Sequence, residues 1–484
     1  MKLFIKRTAP VLGLLGLGLA SCQPDIEAPT VTAGSADFSR YISVGNSLTA
    51  GTTDGGVFRE GQLTSYPSIL ATQFALVGGG DFVQPLFTEA QANGSGYLRL
   101  AGFTATGSPI TAPVTTNLGI RGLSPKGGPL YTKFTAPANN LAVYDIRMSD
   151  ILTAGYGSVN GNPFFERITP DATPMQTYLE RVQTTVDFLK PTFFTEWVGN
   201  NDVLAFATAG AAARAVTPLS TFTANTNLLL DALTAGGAKG LVATIPDVSG
   251  LPFFTTVGPS FRGTLALKNV PSAAPFVYTT GILAPLQPNT RVAGKLSDIR
   301  DASGAGNLLL TLTASPYAGL YGQPTGKYWR DFYNQARPSL PAAISDLSVF
   351  LATLQVDTTQ AFGQSTGNPF PSTLVLDGTE QTSVAATTSG FNTALINAAN
   401  ARNLAVFDSN LFFRGVAANG FATNAVNNTA SYLSGNLFGL DGVHPTPRGY
   451  SIIANEMLKA INAKYGSSFQ GVNPTNYRGV VFPQ

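Results

Sequence analysis

A short apolar run ends in Gly45-Asn46-Ser47-Leu48-Thr49-Ala50-Gly51, and far downstream the chain reads Asp441-Gly442-Val443-His444-Pro445. A hydroxyl, an imidazole and a carboxylate are the groups an acyl-transfer site requires: nucleophile, base, and the acid that orients the base. His444 is the only histidine among 484 residues, so the base is assigned without choosing among candidates. Asp441 lies three residues before it and can approach it within one turn.

These residues need a scaffold that gathers them. Phe38 to Val44 reads as the first strand, leading into Ser47. Tyr66 to Leu76 and Thr177 to Leu189 have helical spacing. Phe193 to Val198 reads as a strand running into Gly199-Asn200-Asn201-Asp202. Asn225 to Leu233 is helical, Gly240 to Ile245 a strand, Gly390 to Arg402 helical, and Leu404 to Phe407 a strand. Pro447 to Tyr465 closes the chain as a helix with proline in its first turn. Alternating strands and helices predict a parallel sheet covered by helices, whose strand ends are where open α/β sheets place ligands. Residues 78–175 and 250–325 break the rhythm and read as loop and β insertions, with helix resuming from Tyr328 to Leu354.

Three blocks carry a family resemblance. Gly45-Asn46-Ser47-Leu48, Gly199-Asn200-Asn201-Asp202 and Asp441-Gly442-Val443-His444 resemble, in order, blocks of the SGNH (GDSL-type) hydrolases, with Asn117-Leu118-Gly119-Ile120-Arg121-Gly122 as the weaker glycine block. The resemblance implies a three-layer α/β/α, flavodoxin-like fold over residues 38–466. It implies Ser47 as nucleophile, His444 as base and Asp441 as its orienter. The oxyanion donors would be the Ser47 N–H, the Gly122 N–H and the Asn201 amide. The implied activity is carboxylic-ester hydrolysis (esterase or lipase) through an acyl-serine, on a small-molecule, lipid or glycan ester. Carbohydrate O-deacetylation on the same scaffold, or a catalytically silent surface binding lipoprotein, are the alternatives. Asn46 departs from the family's usual Asp.

Each assignment has a rival. Ser47 could cap a helix, and Asn201 could shape a loop. Gly119, Gly127 and Gly128 compete with Gly122, and Asp408 or Asp247 with Asp441. Gly363-Gln364-Ser365-Thr366-Gly367 matches a nucleophile elbow, but no buried strand precedes it and Asn368-Pro369-Phe370-Pro371 follows where a helix should start. The pairs Phe164-Phe165, Phe253-Phe254 and Phe412-Phe413 read as core, with Phe253-Phe254 the best candidate for an acyl groove.

The chain begins with basic Lys2, Lys6 and Arg7, then an apolar stretch from Pro10 to Ala20 too short to span a bilayer. Leu19-Ala20-Ser21-Cys22 resembles a bacterial lipobox, which implies removal of residues 1–21 and lipidation of Cys22, the sole cysteine. Residues 22–37 read as a tether and 467–484 as a tail. The implied location is the cell envelope, with Gln23 suiting an outer-membrane lipoprotein. Losing three cations and no acid turns the formal charge from +2 to −1, which leaves nucleic-acid binding without support. One histidine and one cysteine give no metal set, and no cofactor is expected. Acyl length, alcohol moiety and oligomeric state have no signal in the residues.

Overall fold

The computed structural model describes residues 30–104, 109–212, 215–283, 289–344 and 346–483; the leader and Cys22 lie outside them. Four parallel strands lie side by side in chain order: β1 (Tyr41–Gly45), β2 (Phe193–Trp197), β3 (Lys239–Ala243) and β4 (Ala405–Phe407). Parallel neighbours require long crossovers, and helices supply them: α1 (Tyr66–Ala75), α2 (Tyr178–Leu189), α3 (Asn200–Thr208), α4 (Leu219–Thr234) and α5 (Gly378–Ala401). Helix α6 (Pro447–Tyr465) follows β4.

Period-two alternation divides the strands between two cores. Ile42, Val44, Phe194 and Val242 join α2, α4 and α5 through residues such as Val182, Leu229 and Leu395. Tyr41, Phe193, Trp197, Leu241 and Phe407 join α1 and α6 through Ile69, Phe74, Ile453 and Met457. The helix starts are specified locally. Thr177 with Glu180, and Asp377 with Glu380, form capping boxes, and Thr446 caps α6 ahead of Pro447. In the first core Phe222 stacks on Phe391, with centroids 3.9 Å apart and planes 7° from parallel. Phe222→Ala should therefore cost about 3–5 kcal/mol, because α4 and α5 cannot close the resulting cavity. Urea denaturation measures it, and a loss below about 1 kcal/mol would mean that the helices do collapse.

The first part of the expected 78–175 insertion, residues 78–140, holds two antiparallel pairs, Tyr97–Phe103 with Pro109–Val114 and Ile120–Leu123 with Pro129–Tyr131. Its end does more. Residues 139–143 run parallel to β1, with bonds from Ser43 N–H to Asn139 O (2.8 Å), Leu141 N–H to Ser43 O (2.8 Å) and Val143 N–H to Gly45 O (3.0 Å). Tyr178 of α2 donates to Leu141 O at 2.7 Å and pins this ribbon. Counting it, the chain crosses β1 to form β2 on the opposite side, so the strand order reverses at β1. The crevice at such a reversal is where doubly wound sheets bind ligands.

The break in rhythm at 250 builds a separate core running from Val257 to Val375, around Phe276, Trp329, Phe350 and Phe370. The helices Lys327–Ala336 and Leu347–Thr353 belong to this core rather than to the sheet. Neither chain end is free where described. Ser35 N–H donates to Tyr465 O at 2.7 Å, so residues 30–37 of the expected tether lie on the end of α6. In the tail, Arg478 forks onto Glu60 at 2.7 and 2.8 Å.

Candidate active site

Ser47 stands on the turn that leaves β1. Gly45 ends the strand where a Cβ would fall 1.9 Å from Thr49 Oγ1 and 3.0 Å from Trp197 O, so the chain can fold back only without one. Asn46 Oδ1 accepts the Leu48 N–H at 3.0 Å, and Ala50 N–H returns to Asn46 O at 3.0 Å. Asn46 therefore supplies the turn with an acceptor, a task that needs no charge. Its Nδ2 is buried and has no hydrogen-bond partner among the described residues.

His444 is brought to Ser47 from the far end of the chain. Its Nε2 lies 2.9 Å from Ser47 Oγ, and its Nδ1 lies 2.6 Å from Asp441 Oδ2. Asp441 Oδ1 also accepts the N–H groups of Val443 and His444, each at 2.9 Å. Burial pushes the Asp441 carboxyl up, but the His444 ring and these two N–H donors outweigh it and hold the group below its ordinary value. An ionised Asp441 fixes the tautomer: Nδ1–H donates to the carboxylate, and Nε2 is left to accept from Ser47. The tight turn depends on Gly442 at φ +68°, where a Cβ would also fall 2.9 Å from Phe253 N. Asp54 holds the loop from the other side, accepting the Leu440 N–H at 2.8 Å.

Asn201 comes from the first turn of α3 and is 5% exposed. One hydrogen of its amide goes to Ile146 O at 3.0 Å, which leaves the second for another acceptor. The next residue, Asp202, accepts Met148 N–H at 2.6 Å. The pair thus moors the segment after the 139–143 ribbon against α3.

Ser47, Asn201, Asp441 and His444 line one cleft of about 240 Å³, with Tyr144, Asp145 and Phe253 in its walls. A narrow, mostly apolar slot of about 30 Å³ meets it at Ser47, Asn201, Leu204, Val443 and His444. A larger cavity of about 410 Å³ touches Arg40, Thr192 and Lys239 at the opposite, N-terminal ends of the strands and contains neither Ser47 nor His444. The arrangement of the cleft can take a proton from a hydroxyl and return it to a leaving group.

Gly122 is not in this cleft. It sits in an exposed strand, paired with Leu130, and nothing lies within 4 Å of where its Cβ would be. No close approach demands glycine there, and the expectation of an oxyanion donor at 122 is corrected. Asp145 occupies the wall instead, in left-handed backbone at φ +64°. The only sequence signal for it was the short alternation Asn140-Leu141-Ala142-Val143 before it, within a stretch that otherwise lacks pattern. The rival residues are engaged elsewhere. Asp408 caps a helix through Leu411 N–H at 3.0 Å, and Asp247 accepts Ser249 N–H at 3.0 Å. Ser365 hydrogen-bonds Gln360 in a surface turn that no strand enters. Of the phenylalanine pairs, Phe253 reaches the cleft and Phe413 the slot, while Phe165 and Phe254 are core.

Among known proteins, no family model and no curated protein matches this chain. Among the described residues, no three or more His, Cys, Asp or Glu side chains are grouped to hold a metal ion, and no helix is long and apolar enough to cross a membrane.

Proposed function

We propose that the protein is a serine hydrolase of carboxylic esters, an SGNH-like enzyme with the three-layer α/β/α fold of that family. The observation that carries this reading is the continuous chain of hydrogen bonds from Ser47 Oγ through both nitrogens of the sole imidazole to Asp441. His444 Nε2 takes the hydroxyl proton as Ser47 Oγ bonds to the ester carbonyl carbon. The tetrahedral intermediate collapses, the C–O bond to the alcohol breaks, and His444 returns the proton to that leaving oxygen. Water, deprotonated by the same ring, then releases the acid and restores Ser47. The oxyanion is met by the Ser47 N–H and the remaining Asn201 N–H.

Labelling with a fluorophosphonate probe tests the reading: modification at Ser47 supports it, and a folded, unlabelled protein would favour a binding module. Asn201→Ala should lower kcat about 100- to 1,000-fold, with the probe still reacting slowly. A variant within threefold of wild type on a p-nitrophenyl ester would remove Asn201 from the oxyanion site.

Anchoring belongs to the same proposal. Cys22 lies outside the described residues, and its lipobox-like setting supports attachment to an envelope membrane. Cys22→Ala is expected to move the protein from the membrane to the soluble fraction; unchanged fractionation would refute an anchor there.

A further inference from the structure

The apolar slot beside Ser47 ends at a wall that it shares with another cavity. Leu251, Phe413 and Phe438 line the slot of about 30 Å³, and the same residues line a cavity of about 390 Å³ beyond them. None of the three borders the catalytic cleft, so the slot lies between the cleft and this outer cavity. The loop after β3 completes the partition by alternation: Pro246 and Val248 line the slot, Asp247 and Ser249 the outer cavity. Phe413 comes from the helix Ser409–Asn419 and packs on Phe438, with ring centroids 5.9 Å apart. No residue of the slot wall is exposed, whereas Arg414, Ala417 and Ala418 carry the outer cavity to the surface. The slot is thus a blind recess with the nucleophile at one end and an aromatic stop at the other.

We propose that the slot holds the acyl chain of the substrate and that Phe413 limits its length, which makes esters of short, uncharged acids the substrate class. This rests on the serine-hydrolase reading above and adds a specificity-determining residue to it. An ester has two arms, and only one can occupy a blind recess. The alcohol must leave before water attacks the acyl-serine, so it belongs in the cleft, which reaches the surface at Gly55. The acyl arm stays bonded to Ser47 through the intermediate and needs no exit. Leu48, Leu204, Val248 and Val443 offer that arm hydrocarbon contact. No Asp, Glu, Lys or Arg among the described residues lines the slot, so a charged chain would lose its hydration without gaining a partner. A space of about 30 Å³ takes about two or three carbon-sized groups, which spans acyl groups from acetyl to butyryl. A longer chain meets the Phe413 ring.

The test compares kcat/KM for p-nitrophenyl butyrate against p-nitrophenyl octanoate, and for ethyl butyrate against octyl butyrate, in wild type, Phe413→Leu, Phe413→Ala and Phe412→Ala. Phe412 packs on Phe407 and Phe421 and lines neither the slot nor the outer cavity, so its truncation controls for lost packing alone. Wild type should favour butyrate over octanoate by about tenfold or more. Removing the Phe413 ring joins the slot to the outer cavity, and the butyrate-to-octanoate ratio should fall at least about tenfold in Phe413→Ala. Phe413→Leu should shift the ratio in the same direction by less, and it carries the test if the alanine variant does not fold. The ratio in Phe412→Ala, and the ethyl-to-octyl ratio in every variant, should stay at wild-type values. A wild type that cleaves octanoate as well as butyrate, an unchanged ratio in both Phe413 variants, or a shift in the alcohol series instead would each overturn the assignment. Fluorophosphonate labelling of the same samples separates the two levels. Labelled Ser47 with unchanged ratios removes only the acyl slot, whereas an unlabelled wild type removes the hydrolase as well.

Discussion

Ser47→Ala and His444→Ala should each lower ester turnover by roughly 10⁴- to 10⁶-fold while leaving the fold intact. The two losses should be similar and far from additive in the double variant. The reason is geometric. Ser47 Oγ and His444 Nε2, 2.9 Å apart, act as one proton-transfer unit, and either residue alone can do little. No other imidazole exists in the chain to substitute. Residual hydrolysis in both variants should reflect the oxyanion donors and binding alone. Initial rates with a p-nitrophenyl ester, with circular dichroism on the same samples, measure this. Wild-type rates in Ser47→Ala would end the assignment, and a fall in Ser365→Ala instead would move the nucleophile to the surface turn.

Glu196→Gln should flatten the dependence of stability on pH. Glu196 sits on β2 with no solvent exposure; its Oε1 accepts the Val198 N–H at 2.7 Å and its Oε2 has no hydrogen-bond partner among the described residues. Burial pushes its carboxyl from the ordinary 4.5 up to about 8, the Val198 bond pulling slightly the other way. Between those values the folded protein holds a proton that the unfolded chain has released. Stability is therefore fully present below about pH 4.5 and is lost as pH rises through about 8, with a slope near 1.4 kcal/mol per pH unit and a total on the order of 5 kcal/mol. Asp54 and Asp202, both raised to about 6 chiefly by burial, act in the same direction but are spent by neutral pH. Chemical denaturation between pH 7 and 8.5 thus isolates Glu196. Wild type should weaken across that window and Glu196→Gln should not; parallel curves would show that the buried acid is not protonated.

The main elements were legible because their signals are local. Tyr66 to Leu76, Thr177 to Leu189 and Pro447 to Tyr465 carry helical periodicity with caps or proline at the start, and the observed helices match within a residue at each end. Strands β2 and β3 are buried, and Phe193-Phe194 with Trp197 and Leu241-Val242-Ala243 carried their apolar signal even though Thr195 and Glu196 interrupt the run in β2. Helix α3 went unseen because Asn200-Asn201-Asp202 reads as a turn; it becomes helical because Gly199, at φ +111°, redirects the chain and Asp202 bonds the segment at Met148 and Ser149. The 139–143 ribbon went unseen because five residues carry too little periodicity. What makes it a strand is the row of partners on β1.

The residue types alone determined which chemistry was available: one imidazole, a serine at a strand end and an aspartate three positions before the histidine leave little else to build a proton-transfer site from. Tertiary structure decided where the site's walls are. Gly122 and Asp145 lie 23 positions apart in one poorly patterned region, and only hydrogen bonds to β1 place the second, not the first, beside Ser47. Asn200 likewise looks no different from Asn201 in the sequence; the Asn201 amide holds the Ile146 carbonyl whereas that of Asn200 has no hydrogen-bond partner among the described residues, and that distinction exists only once α3, the loop after β3 and the helix bearing Phe413 have packed together.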